Sequence, residues 1–308
     1  MENSEIFNDT FFAMGTRCDV VLPGFEPELG EQVFQVIKSE VFQIENQLSR
    51  FIPNSPVSKI NKAPKNNWIN VSEDLWEILT ICYDFYQLSN GAFDVTAAPL
   101  ISLWKKSNRP SEYEIEEAGK RSGFDKVELD FENHAIRFLE DKMEFDFGAL
   151  GKGIALDTIK PIIQKQGIKS GIVSFGESSV LALGSHPKGN HWPLGIRNQI
   201  LPNEYIHVFD ARNESVTTSG TILTTDDGGI LKRGHIISPA TGQVVDNSST
   251  ISVKSESATM GEFISTAWLI LPENDKIILS ENLKNIEILE VTYLEDKDIK
   301  TKLTILND

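Results

Sequence analysis

A short apolar stretch, Phe145-Asp146-Phe147, runs into glycines at 148, 151 and 153, with Lys152 between the last two and a helical pattern following through Asp157. Glycines at such a junction let backbone N–H groups approach a ligand closely, and the first turn of a helix offers those groups to an anion. Lys152 adds a mobile positive charge at the same place. The chemistry this points to is the cradling of a phosphate-bearing molecule. It is not a Walker A loop, whose spacing requires glycine where Asp146 stands and serine or threonine where Gly153 stands. A tight strand-to-helix turn with a solvated lysine uses the same residues, so the segment alone leaves both readings open.

Four more segments share this polar, glycine-bearing character. They are Met14-Gly15-Thr16, Gly91-Ala92-Phe93-Asp94-Val95-Thr96, Thr217-Thr218-Ser219-Gly220, and the run from His235 through Pro239 to Thr241-Gly242. Each alone reads as a turn as readily as a site. Their value lies in their order along the chain.

The elements that must position them follow from periodicity. A strand is expected over 16–22, then an amphipathic helix with Leu29, Val33, Ile37, Val41, Ile44 and Leu48 on one stripe. A second helix begins after Ser72 and stops at Asn90-Gly91; a third begins at the capping box Ser111…Glu114. Short strands are expected across 126–147, turning at Glu132-Asn133. The helix after the cradle runs toward Gly167, with a kink or break expected near Pro161. Residues 171–253 read as a meander of short strands. A last helix over 257–271 closes at Pro272, and a final strand lies near 286–293. The fold class expected is α+β: a single two-lobed domain over residues 1–308, built of mixed, mostly antiparallel sheets with packed helices.

Composition excludes some functions. The formal net charge of −16 and the absence of clustered Lys and Arg argue against nucleic acid or an anionic membrane surface as partner. The two cysteines, Cys18 and Cys82, sit in apolar patterns and read as free core thiols. No apolar run is long enough to span a bilayer, and the start of the chain lacks the pattern of an export signal. A cytoplasmic location is the expectation.

Taken in order, the five segments and the loop Asn54-Ser55-Pro56-Val57-Ser58-Lys59-Ile60-Asn61 resemble the ApbE family, the FAD:protein FMN transferases, over most of the chain from Met14 to about Leu271. The resemblance implies a flavin cleft, FAD as donor substrate, and transfer of FMN to a threonine of a partner flavoprotein through a phosphoester, with AMP leaving. It implies a divalent ion, Mg2+ or Mn2+, held by Glu262, Thr266 and the backbone carbonyl of Gly151. It places Met14, Phe51 and Thr96 against the flavin, and Phe93 and Asp94 in a nucleotide-binding segment. Asp157 is assigned to the ribose or adenine side, and Thr218 and Ser219 to phosphate or ring edges. Lys152 supplies charge, and His235 is the candidate base for the incoming hydroxyl, because histidine titrates near neutrality.

Two positions depart from the family pattern. Glu262 stands where the family has aspartate, one methylene longer. The usual double glycine followed by Asn or Asp reads Gly176-Glu177-Ser178, bringing a carboxylate that either faces phosphate or points outward. Two alternatives therefore stand beside a flavin transferase: a hydrolase that splits FAD to FMN and AMP with water, and a flavin-binding protein with weak catalysis.

Overall fold

The computed structural model describes residues 6–107, 109–201, 203–224, 230–232, 236–294 and 298–307. The chain opens with a hairpin, β1 (Ile6–Ala13) and β2 (Thr16–Pro23), followed by α1 (Pro27–Leu48) and α2 (Pro56–Asn61). The short β3 (Ile69–Asn70) leads into α3 (Glu73–Leu88), α4 (Ala98–Lys106) and α5 (Glu112–Gly119). Next come β4 (Val127–Asp130), β5 (Ala135–Phe138), α6 (Gly151–Lys165), β6 (Ser170–Phe175) and β7 (Ser179–Gly184). The hairpin β8 (Trp192–Arg197) and β9 (Tyr205–Ala211) precedes β10 (Glu214–Gly220), β11 (Ile222–Thr224) and β12 (Ile230–Lys232). The remaining elements are β13 (Ser249–Ser255), α7 (Ala258–Ile270), α8 (Glu273–Ser280), β14 (Ile286–Tyr293) and β15 (Ile299–Leu306).

One eight-stranded sheet, in the order β1-β2-β6-β7-β10-β13-β14-β15, dominates. Every neighbouring pair in it is antiparallel. Three helices are laid against it. α1 meets β1 and α6, α6 meets β7 and α7, and α7 packs on β10 and β13. Of the stripe expected on α1, Val33, Ile37, Val41, Ile44 and Leu48 are buried, whereas Leu29 in the first turn is 43% exposed. Over these helices sits a smaller layer made of α3 to α5 and the sheet β3-β5-β4. Phe85 of α3 stacks on Phe263 of α7 with ring centroids 4.1 Å apart, joining the two layers. The expected α+β architecture with mostly antiparallel sheets is therefore what the chain forms.

Several local expectations need correction. Of the kink or break expected near Pro161, the break does not occur, and α6 runs from Gly151 to Lys165. Residues 139–147 carry no strand; only β4 and β5 form, although the turn between them lies where Glu132-Asn133 places it. Pro272 ends α7 but is also the N-cap of a further helix, α8. The helices α2 and α4 and the outer strands β1 and β15 lie outside the sequence reading. Both cysteines are free and buried, and burial pushes the Cys18 thiol up to about 12. Among the described residues, no helix is long and apolar enough to cross a membrane.

Candidate active site

The glycine cradle is held from two directions. The side chain of Asn61, the last residue of α2, donates to the carbonyl of Phe145 at 2.9 Å and accepts from its N–H at 2.8 Å. It satisfies this backbone as a neighbouring strand would. Arg50 reaches Asp146 at 3.3 Å, Ser102 Oγ at 2.7 Å and Glu144 at 3.4 Å. Its guanidinium also lies over the ring of Phe51, 5.3 Å from the centroid. These anchors fix the turn from which α6 starts.

At Gly153 α6 comes so close to α7 that a Cβ would lie 2.8 Å from the Ala258 carbonyl and the Thr259 Cα. Asp157, one turn further, accepts from Ser257 Oγ and from the N–H groups of Ala258 and Thr259, at 2.7, 2.8 and 2.9 Å. A carboxylate on the free N–H groups of a helix start both caps it and meets its positive end. Asp157 thus holds the start of α7, and the two helices are locked in register.

That register sets Lys152 beside Glu262. Lys152 Nζ is 2.9 Å from Glu262 Oε1, and the same oxygen accepts from Ser179 Oγ at 2.6 Å. Glu262 is 3% exposed, so its charge is tolerated only because two donors meet it. Beyond it on the same helix, Thr266 lies 3.2 Å from Ser219 Oγ, which also bonds Ser265 Oγ at 2.8 Å. Thr218 Oγ1 pairs with Ser252 Oγ at 2.8 Å.

These groups converge on one cavity of about 380 Å3, within the range of small-molecule sites. Its lining brings together Phe51, Phe93, Asp94, Lys152, Thr218, Ser219, Glu262 and Thr266 from the residues expected by sequence. Phe51 stands at the mouth, 73% exposed, while Phe93 is buried with its ring edge-on to Phe263. The lining also includes Lys105, which no sequence motif marked, and Asp146 and Ser178, which lie in marked segments but were given no role.

Asp94 is the most unusual group in the wall. Its Oδ1 accepts from both the N–H and the hydroxyl of Thr96, at 2.8 and 2.7 Å. Its Oδ2 is buried and has no hydrogen-bond partner. Burial raises its pKa to about 6, against the lowering effect of the Thr96 bonds. An acceptor left open in a cavity wall waits for a donor from whatever fills the cavity.

The other expected residues are placed around the cavity rather than on its lining. Thr96 is fully buried and acts on Asp94, its hydroxyl also accepting from Gly123 N at 2.7 Å. Met14 sits in the β1–β2 turn at φ +53°, its N–H bonded to Glu45, and its sulfur 3.6 Å from where a Cβ of Gly151 would lie. Asp157 faces α7, as described. Glu177 is exposed and off the lining, in a left-handed conformation at φ +63° in the β6–β7 turn. His235 lies outside the described residues.

The metal expected from the resemblance can be tested against the donors. Glu262 and Thr266, one helical turn apart, both line the cavity and both offer oxygen, which suits a hard cation. The Lys152 ammonium against Glu262 marks the same carboxylate as a place where positive charge is held. The residues fit a divalent ion of that kind.

Comparison with known proteins closes the argument about kinship. The ApbE family model matches residues 14–289. The FAD:protein FMN transferase of Buchnera aphidicola subsp. Schizaphis graminum is 28% identical over 282 residues, covering 88% of this chain and 82% of its own. That of Chlamydia trachomatis serovar D is 26% identical over 287 residues, covering 89% and 87%. Among solved structures, the ApbE protein of Thermotoga maritima superposes with a TM-score of 0.82 at 25% identity, covering 96% of each chain. The flavin transferase ApbE from Vibrio cholerae gives 0.84 at 18% identity, over 98% of this chain and 97% of that one, and speaks for the fold alone.

Proposed function

This chain belongs to the ApbE family, and from that premise we propose that it is an FAD:protein FMN transferase acting on a threonine of a partner flavoprotein. The observation that carries the reading is the convergence of Lys152, Glu262, Thr266, Ser219 and Asp94 on one cavity.

In the proposed reaction the threonine hydroxyl oxygen forms a bond to the phosphorus on the FMN side of the FAD pyrophosphate. The bridging P–O bond breaks and its electrons leave with AMP, while the hydroxyl proton passes to His235. Phosphoryl transfer asks little covalent chemistry of the protein and much positioned charge. Lys152 brings one positive charge to the pyrophosphate oxygens, and the first-turn N–H groups of α6 add to it. Phe51 and Phe93 offer ring surface to the flavin, and Asp94 Oδ2 accepts from an N–H of the nucleotide. Glu262, Thr266 and the Gly151 carbonyl would hold Mg2+ or Mn2+, which supplies further charge on the phosphate oxygens. Ser179 keeps the Glu262 carboxylate in place despite its extra methylene.

Hydrolysis is the competing outcome, because the cavity mouth at Phe51 is open to water. AMP release from FAD and Mg2+ separates the two. A transferase releases AMP in step with labelled acceptor and little without one. Equal release with and without acceptor makes the protein a hydrolase.

A further inference from the structure

A second, larger cavity of about 710 Å3 opens between α1, α3 and the first turns of α6. α6 separates the two: Lys152 faces the site described above, whereas Leu150 and Ile154 face this groove. The floor is apolar, made by Ile44 of α1, Ile78, Cys82 and Phe85 of α3, Ile154 and Met260. The α3 stripe does not end under cover. Ile81 and Leu88, on the same side, are 41% and 38% exposed.

The rim has the opposite character. Glu40, Asp74, Glu77 and Asp84 line the groove, and no Lys, Arg or His does. None of these four carboxylates forms an ion pair among the described residues. Asp157 lines it too, but its oxygens are taken by the start of α7. An apolar floor inside an unneutralised ring of carboxylates favours an amphipathic cation over an anionic nucleotide.

Shape narrows the occupant. From Ile78 to Leu88 the stripe runs about 15 Å, the length of roughly three helical turns. Two helices flanking an apolar trough of that length suit a third helix laid between them. A second copy of this chain is a poor occupant, because each copy carries a net charge of −16. We infer that the groove docks a basic, amphipathic helical segment of a partner protein. Its apolar residues, spaced three and four apart, lie on the α3 stripe, and its Lys or Arg side chains meet the acidic rim. This holds whatever reaction the other cavity performs.

The test uses a defined probe, a fluorescein-labelled leucine–lysine peptide with one apolar helical stripe, read by anisotropy at physiological ionic strength. Glu77→Lys with Asp84→Lys is the groove variant. Glu132→Lys with Asp141→Lys makes the same charge change elsewhere. Ile81→Asp removes the apolar edge, and circular dichroism melting checks that each variant folds. The groove pair and Ile81→Asp are each expected to weaken the probe by about tenfold or more, and the distant pair by less than about twofold. Equal weakening by both charge pairs would reduce the binding to general attraction and overturn the site. Unchanged binding in Ile81→Asp would do the same. Displacement of the probe by spermine as readily as by unlabelled peptide would assign the groove to a small polyamine instead.

Discussion

Lys152 and Glu262, 110 residues apart in sequence, form a 2.9 Å ion pair on the wall of the candidate active site. The pair exists because Gly153 lets α6 touch the start of α7 and Asp157 caps that start. Lys152→Met would leave a nearly buried carboxylate with Ser179 as its one remaining donor. A loss of about 3 kcal/mol in unfolding free energy is expected from uncompensated burial, measured by chemical denaturation. Double replacement with Glu262→Gln should recover most of it, since the orphaned charge is gone.

Asp94 makes stability depend on pH in an unusual direction. Its folded pKa, raised to about 6, lies above that of an unfolded aspartate. The native state therefore binds the proton more tightly, and this contribution favours folding below about pH 4 and is lost as pH rises through about 6. Asp94→Asn removes the dependence. Compared at pH 5 and pH 8, the wild-type protein should lose about 1 kcal/mol from this group and the variant should not. FAD binding should also lose an inflection near pH 6 in the variant, because the open Oδ2 changes from donor to acceptor there.

Asp157 offers a direct choice between two roles. Asp157→Ala removes three hydrogen bonds from the first turn of α7, with a cost of about 1–2 kcal/mol expected from lost capping. Loss of FAD affinity should be no greater than the loosening of Glu262 explains. Asp157→Asn, which keeps an acceptor oxygen, should restore much of the stability. A large fall in FAD affinity with unchanged stability would return Asp157 to the nucleotide.

Glu177 pays a backbone cost with no visible return. It follows Gly176, at φ +56°, so two successive residues of the β6–β7 turn are left-handed. Asparagine and glycine fit such a turn far better than glutamate. Glu177→Gly should raise stability by about 1 kcal/mol, seen as a higher thermal midpoint. Catalysis should be unchanged, because this side chain is exposed and off the cavity lining.

The sequence made local features visible and hid those that depend on distant partners. The cradle and the segment ending in Asp94 and Thr96 are short, and their chemistry is written in neighbouring residues. Asn61 bonding Phe145, Arg50 bonding Asp146 and Ser179 bonding Glu262 join residues 84, 96 and 83 positions apart. No local pattern encodes such pairs. Pro272 does stop α7, but nothing beside it announces the further helix α8 that it also begins, and Pro161, where a kink or break was expected, breaks nothing in α6. In α6, burial against α1 and α7 outweighs the missing hydrogen bond. That Asp157 caps the start of α7 was equally hidden, because nothing near it in sequence shows that α7 begins beside it.

The central claim is that the Lys152–Glu262 cavity transfers FMN from FAD to protein. The most direct measurement incubates the protein with FAD, Mg2+ or Mn2+, and candidate threonine-bearing acceptor proteins, then reads denaturing gels for covalent flavin fluorescence. Wild-type protein should label an acceptor, chelator should abolish the label, and Glu262→Ala should abolish it while retaining much of the FAD binding. Labelling that survives both chelator and Glu262→Ala would contradict the account of this site.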